Sequence, residues 1–170
     1  MARSTNLLDE ALQAWTYARD GVIAELENIP AREFGFRPSP PSRTVAELAQ
    51  HIAESALMAA GELARADGNF QRQAYPDFIR EYAGTRAQVS GKKPLIDLLR
   101  TLAKECSSTL RDSGERRLLQ PIVQFNGEPA SRLTWLHHAI AHEEYHRGQI
   151  ALYARLLGHV PALTKLIDGS

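Results

Sequence analysis

Apolar residues recur at intervals of three and four in four long stretches of this 170-residue chain, and prolines and glycines punctuate the segments between them. That spacing is the repeat of an amphipathic α-helix; a half-buried strand would alternate at every second residue. In the first stretch, Leu8, Leu12, Trp15, Val22 and Leu26, with Ala11 and Ala18 between them, predict a helix from about Thr5 to Glu27. Gly21 is its one poor helix former. Pro30, Pro38, Pro40 and Pro41 end it and stiffen the connection, since proline lacks an amide proton and restricts the residue before it. Thr44-Val45-Ala46-Glu47 then has the form of a capping box, with the threonine hydroxyl and the glutamate carboxylate each satisfying the other residue's amide. A second helix starts there, with Leu48, Ile52, Ser55 and Ala59 facing inward and His51 beside that face, and stops near Gly68.

Residues 69–92 are mixed in character and carry Phe70, Tyr75, Phe78 and Tyr82 with only a short helical stretch, which marks a long crossover. Pro94 suits a first helical turn, and Leu95, Leu98, Leu99, Leu102, Cys106 and Leu110 continue a third helix that ends by Gly114. Leu118 to Pro129 reads as an irregular loop or a small hairpin around Asn126-Gly127. Ser131 is a cap for a fourth helix reaching Gly158, after which the tail from Val160 to Ser170 has no assignable packing. Four helices of this length without a convincing sheet imply an all-α four-helix bundle. The long crossover between helices two and three allows those two to run parallel, so the expected topology is up-down-down-up.

The length suits one domain spanning residues 1–170. Twenty basic and twenty acidic residues cancel, which leaves no electrostatic footprint for nucleic acid or an anionic membrane. The single Cys106 rules out an intramolecular disulfide framework and fits a reducing compartment. No apolar run approaches the roughly 20 residues of a membrane span, and the N-terminus turns acidic before any signal-like run develops. The expectation is a cytoplasmic protein with a small-molecule substrate.

Within the fourth helix lies His142-Glu143-Glu144-Tyr145-His146, followed by Arg147-Gly148-Gln149. Residues four apart share a helical face, so His142 and His146 can direct imidazole nitrogens at one metal ion. Advancing about 100° per residue gathers Trp135, His138, His142, Tyr145, His146, Gln149, Tyr153 and Leu156 on one face and puts His137, Glu144, Arg147, Ala151 and Arg155 opposite. His51 passes the same test on helix two. The expected metal triad is therefore His51, His142 and His146. Three imidazoles suit Zn²⁺, Ni²⁺, Co²⁺, Fe²⁺ or Cu²⁺ and leave a position open for water or substrate.

His142 to His146 also matches the H-E-x-x-H pattern of zinc proteases, but Gln149 and Leu152 stand where the longer form needs glycine and histidine. No glutamate follows Glu144 to serve as the third ligand of the other protease class. The wider pattern resembles the DinB/YfiT-like family of metal-binding helical bundles. Its carriers are Thr44-Val-Ala-Glu-Leu-Ala-Gln-His51 in helix two and Trp135-Leu-His-His138-Ala-Ile-Ala-His142-Glu-Glu-Tyr-His146-Arg-Gly-Gln149 in helix four, with Leu156-Leu157-Gly158 after them. The resemblance implies metal ligands at His51, His142 and His146, Ni²⁺ or Zn²⁺ as the ion, and a homodimer. It also implies transferase or isomerase chemistry with a low-molecular-weight thiol cofactor, while a metal that lowers the pKa of bound water leaves a hydrolase as an expectation at the same site.

Around the triad, His138, Gln149 and Tyr153 are candidates for positioning or pocket roles, and Glu143 and Tyr145 are the catalytic candidates. Glu143, at the edge of the metal face, also reads as a surface ion-pair residue. Gly148 in mid-helix suggests close approach of another helix, from this chain or a second subunit. Leu133, Leu136 and Ile140 form a stripe for dimerisation or burial, and Cys106 among leucines is an inert core thiol. The leading expectation is a metal-dependent enzyme acting on a small electrophile; the alternative is a non-catalytic metal module for stability, sensing or interaction.

Overall fold

Asn6 opens the first helix by accepting a hydrogen bond from the Asp9 amide (2.8 Å), and α1 runs Leu7–Asn28. The computed structural model describes residues 6–169, so the expected start at Thr5 lies outside the described residues. Beyond Ile29 and Pro30 the chain makes a 3-10 turn at Ala31–Glu33 and reaches Thr44, whose capping box is complete. The Glu47 amide donates to Thr44 Oγ1 (3.1 Å) and the Thr44 amide to Glu47 Oε2 (2.7 Å), which starts α2 at Val45–Ala64. This helix stops four residues short of Gly68. Its end is held by the buried Arg132 guanidinium, which donates to Leu63 O (2.7 Å) and Glu62 O (3.3 Å) in the last turn and to Ala66 O (3.2 Å) just beyond it. A cation there also complements the negative end of the helix dipole.

The crossover contains α3, Tyr75–Tyr82, with Pro76 in its first turn. Phe78 anchors it in the core, and the Tyr82 hydroxyl donates to the buried Glu62 carboxylate (2.6 Å), which Arg72 also engages. Next come α4 (Lys92–Ser113), ended at Gly114, and the single turn α5 (Glu115–Leu118). Strands β1 (Pro121–Val123) and β2 (Pro129–Ser131) then pair antiparallel, with Pro121 opposite Ser131. The hairpin reading of this segment is the one observed: Gly127 takes φ +87° in the turn, a conformation that disfavours side chains. Phe70 donates its amide to Val123 O (2.9 Å), fastening the crossover to the hairpin.

Ser131 caps α6, Arg132–Leu156, through the Thr134 amide (3.1 Å). The tail folds back as α7, Ala162–Asp168, whose first amides donate to the buried Glu25 carboxylate on α1 (2.9 and 3.1 Å). Among the described residues there are thus seven α-helices and one two-stranded sheet. Each of the four long helices packs on two others: α1 on α4 and α6, and α2 on the same pair. The core they enclose includes Leu12, Leu26, Leu48, Ile52, Leu99, Leu102 and Leu136. Leu133 and Ile140 pack onto that core beside the fully buried Leu136, so the stripe they form is covered within the chain. Cys106 lies in it as well, and burial pushes its thiol up to about 12.

Candidate metal centre

Two of the three histidines expected to converge come from α6 and one from α2, and the packing of these helices brings them together. His142 Nε2 lies 3.1 Å from His51 Nε2 and 3.1 Å from His146 Nε2, and one ligand nitrogen from each residue falls within 4.8 Å of the others. Two nitrogens held by a tetrahedral zinc at 2.0–2.1 Å would stand about 3.3 Å apart, so the spacing is close to that of a bound ion. Gln149, one turn on, accepts from His146 Nδ1 (2.7 Å). That bond puts the proton on Nδ1 and leaves the Nε2 lone pair directed at the cluster, the usual device for orienting a ligating imidazole.

The rings are also kept neutral. Burial, then the Arg43 charge and the neighbouring imidazoles, pushes His51 down to about 3. Burial, His146 and Arg43 push His142 down to about 4. Burial lowers His146 too, with the Gln149 hydrogen bond acting against it. A neutral imidazole is the form that ligates a metal.

Glu143 departs from the surface role expected of it: it is 2 % exposed and points toward α1. Its carboxylate accepts from Trp15 Nε1, from Arg19 Nη2 (both 2.5 Å) and from Arg19 Nε (2.7 Å), and Arg19 Nη1 donates onward to Leu99 O (3.0 Å). Burial opposes the Arg19 charge, yet the Glu143 carboxylate outweighs it and holds the guanidinium above its ordinary pKa. Arg147, placed by periodicity on the outer side, is also buried. Its guanidinium lies over the Tyr17 ring (5.5 Å) and against Gly21, where a Cβ would come within 2.4 Å of it. Gly21, a flaw by helix propensity, makes room for that side chain.

Tyr145 is displaced in the opposite sense: it is 64 % exposed, edge-on to the His146 ring at 5.0 Å, and does not line the cavity beside the triad. Leu156 is exposed as well, and a Cβ at Gly148 would project into open space. Tyr153 is buried against Phe36, and its hydroxyl donates to Arg43 O (3.2 Å), which ties α6 to the residues entering α2. His138 lies outside the cluster of ligand nitrogens and stacks beside Trp135 at 4.9 Å on the wall of the cavity.

That cavity, of about 420 Å³, opens beside His51 and His142. Periodicity left its other walls unassigned. Trp15 comes from α1, Phe125 from the hairpin, and Tyr75 from the start of α3, with its hydroxyl 3.2 Å from Ser55 Oγ. Arg19 had a readable signal, because it stands one turn after Trp15 on the apolar face of α1, where a charge needs a buried partner.

A sequence profile of the DinB superfamily matches residues 14–150, a span that includes α2 and all three histidines. The chain belongs to the DinB superfamily. Solved structures agree on the fold. The DinB-like protein YjoA of Bacillus subtilis is 20% identical with a TM-score of 0.66, covering 89% of this chain and 93% of its own. YfiT of Bacillus subtilis, described as a probable metal-dependent hydrolase with an unusual four-helix bundle topology, is 14% identical at TM-score 0.70, covering 94% of each chain. A mycothiol-dependent maleylpyruvate isomerase is 15% identical at TM-score 0.67, with 84% of this DinB-superfamily chain aligned to 60% of that longer one. No curated protein matches the sequence. Among the described residues no helix is long and apolar enough to cross a membrane.

Proposed function

We propose that this protein holds a divalent ion, nickel or zinc, on Nε2 of His51, His142 and His146 and is an enzyme acting on a small electrophile. The observation that carries this reading is the convergence of three neutral imidazoles, two of which, His51 and His142, line a cavity large enough for a substrate. A divalent ion with an open position lowers the pKa of water or of a low-molecular-weight thiol, which supplies a nucleophile at neutral pH for hydrolysis or transfer. Gln149 sets the tautomer of His146, and Tyr153 fixes the spacing of α6 from the entry to α2. The Glu143 carboxylate is engaged by Trp15 and Arg19, so its part is to position α6 beside α1 rather than to take a proton. Two relatives support the two chemistries, one described as a probable metal-dependent hydrolase and the other as mycothiol-dependent.

Elemental analysis of tag-free protein tests the site: about one ion per chain is expected, and its loss in His142→Ala. An unchanged metal content in that variant would sink the assignment. Assaying an ester and electrophile panel with and without added thiol then separates hydrolysis from transfer; a metal-loaded protein inert in both arms favours the non-catalytic module.

The up-down-down-up order and a single domain belong to the same proposal. Trp15 meets Glu143 and Asn28 meets Val160 O, which supports α1 parallel to the direction of α6. Arg43 meets Tyr153 and Glu62 meets Arg132, which supports α2 running against α6. Lys92 meets Glu27 O and Arg111 meets Asp9, which supports α4 running against α1. A homodimer is proposed through the exposed side of α6, where Tyr145, Gly148, Leu152 and Leu156 follow one another at helical spacing. Light scattering should give a dimer for the wild type and a monomer for Leu152→Glu. A cytoplasmic location is supported by the single, reduced Cys106.

A further inference from the structure

We propose that the cavity beside the triad binds an uncharged, largely apolar molecule with a planar ring system, whose single polar end reaches His51 and His142. This names the substrate class of the proposed enzyme and rests on that reading only for the role of the histidines. The cavity of about 420 Å³ lies within the range that encloses a small organic ligand.

Its chemistry is lopsided. Ala56, Met58 and Ala59 of α2, Ala139 of α6, Phe125 and Trp135 give it a broad apolar wall, Gln124 and His138 add polar edges, and no lysine or arginine lines it. The one formal charge on the lining, Glu143, is already paired with Arg19. Ser55 and Tyr75 satisfy one another. Away from the triad, a carboxylate, sulfonate or phosphate carried into this space would lose its hydration without finding a lysine or arginine, whereas an aromatic ring meets aromatic faces and edges. Arg43, whose charge acts on all three histidines, lines with Arg37 a separate recess that shares only His51 and Tyr75 with the cavity. The three alanines set the depth, since a larger side chain at any of them would project into the ligand's volume.

The chain has two tryptophans, and Trp15 and Trp135 both line this cavity, so intrinsic fluorescence reports on its occupant. The test titrates the full-length protein, as purified and after dialysis against chelator, with N-phenyl-1-naphthylamine and with 8-anilinonaphthalene-1-sulfonate, the same ring system bearing a negative charge. The uncharged probe should quench tryptophan emission by energy transfer and bind roughly tenfold or more tightly than the sulfonate in the chelated protein. Ala139→Leu should weaken the uncharged probe by a similar factor, and Ala59→Leu provides a second filling from α2. Equal or tighter binding of the sulfonate, or a probe affinity untouched by both alanine variants, would overturn the proposal. Probe binding by a protein that holds no metal as purified and takes up none when Ni²⁺ or Zn²⁺ is added refutes the metal reading alone. A protein that holds metal but takes up neither probe refutes this inference alone.

Discussion

The three imidazoles and the Arg19–Glu143 pair are the residues on which the site depends, and they respond to pH and mutation in different ways. His51 and His142 titrate at about 3 and about 4 in the folded chain, against about 6.5 when unfolded. As pH falls through about 6.5, the unfolded chain takes up protons that the folded chain refuses, so this contribution to stability is present above that pH and is lost progressively down to the folded pKa values. Metal ligation feels the same competition only at the lower end. Dialysis across a pH series followed by elemental analysis should therefore find the ion retained at about pH 5.5, where an exposed histidine cluster would have released it. Release centred between about pH 6 and 7 would contradict the buried, neutral triad. Glu143→Ala should cost about 3–5 kcal/mol in urea denaturation, because it strands the buried Arg19 charge. Replacing both partners, as Arg19→Met with Glu143→Met, should restore most of that loss.

At the scale of elements, α2 carries His51, and its start is set locally by Thr44. Thr44→Ala should lower stability by about 1 kcal/mol, seen in the denaturation midpoint, while leaving the triad able to load metal. The caps at Thr44 and Ser131 were legible because each acts on an amide three residues away, and the prolines because each acts on itself and the residue before it, ranges the sequence displays directly. The two histidine-bearing faces were legible for the same reason. The orientation of α6 was only half legible. It packs on α1 and α2 together, so its buried arc runs through Leu136, Glu143, Arg147, Ile150 and Ala154, and the histidines sit at the edge of that arc facing α2. Two charged residues in the arc find Arg19 and the Gly21 gap on α1, and that compensation exists only once the helices meet. Tyr145 and Leu156, apolar by type, fall outside the arc. Phe125 and Tyr75 were illegible as cavity walls because a long-range contact, Phe70 to Val123, places the crossover against the hairpin.

For the molecule as a whole, the proposed ion bridges α2 and α6, which pack on one another, and the Glu25 carboxylate of α1 accepts from the first amides of α7. A ligand that binds only when both helices are in place draws its free energy from the folded state alone, so it must raise stability as its concentration exceeds its dissociation constant. At a free-ion concentration of about 100 times that constant the gain is about 2.7 kcal/mol. For a chain of this size that corresponds to a rise in Tm of roughly 5–10 °C. Calorimetry of the chelated protein with and without added Ni²⁺ or Zn²⁺ should show this shift, and His51→Ala should abolish it. The choice of His51 matters, because the α6 pair alone lies four residues apart on one helix and would hold an ion without joining two helices. A shift that survives in His51→Ala would mean that the ion is held by α6 by itself, and the proposed site would lose the element that makes it part of the fold.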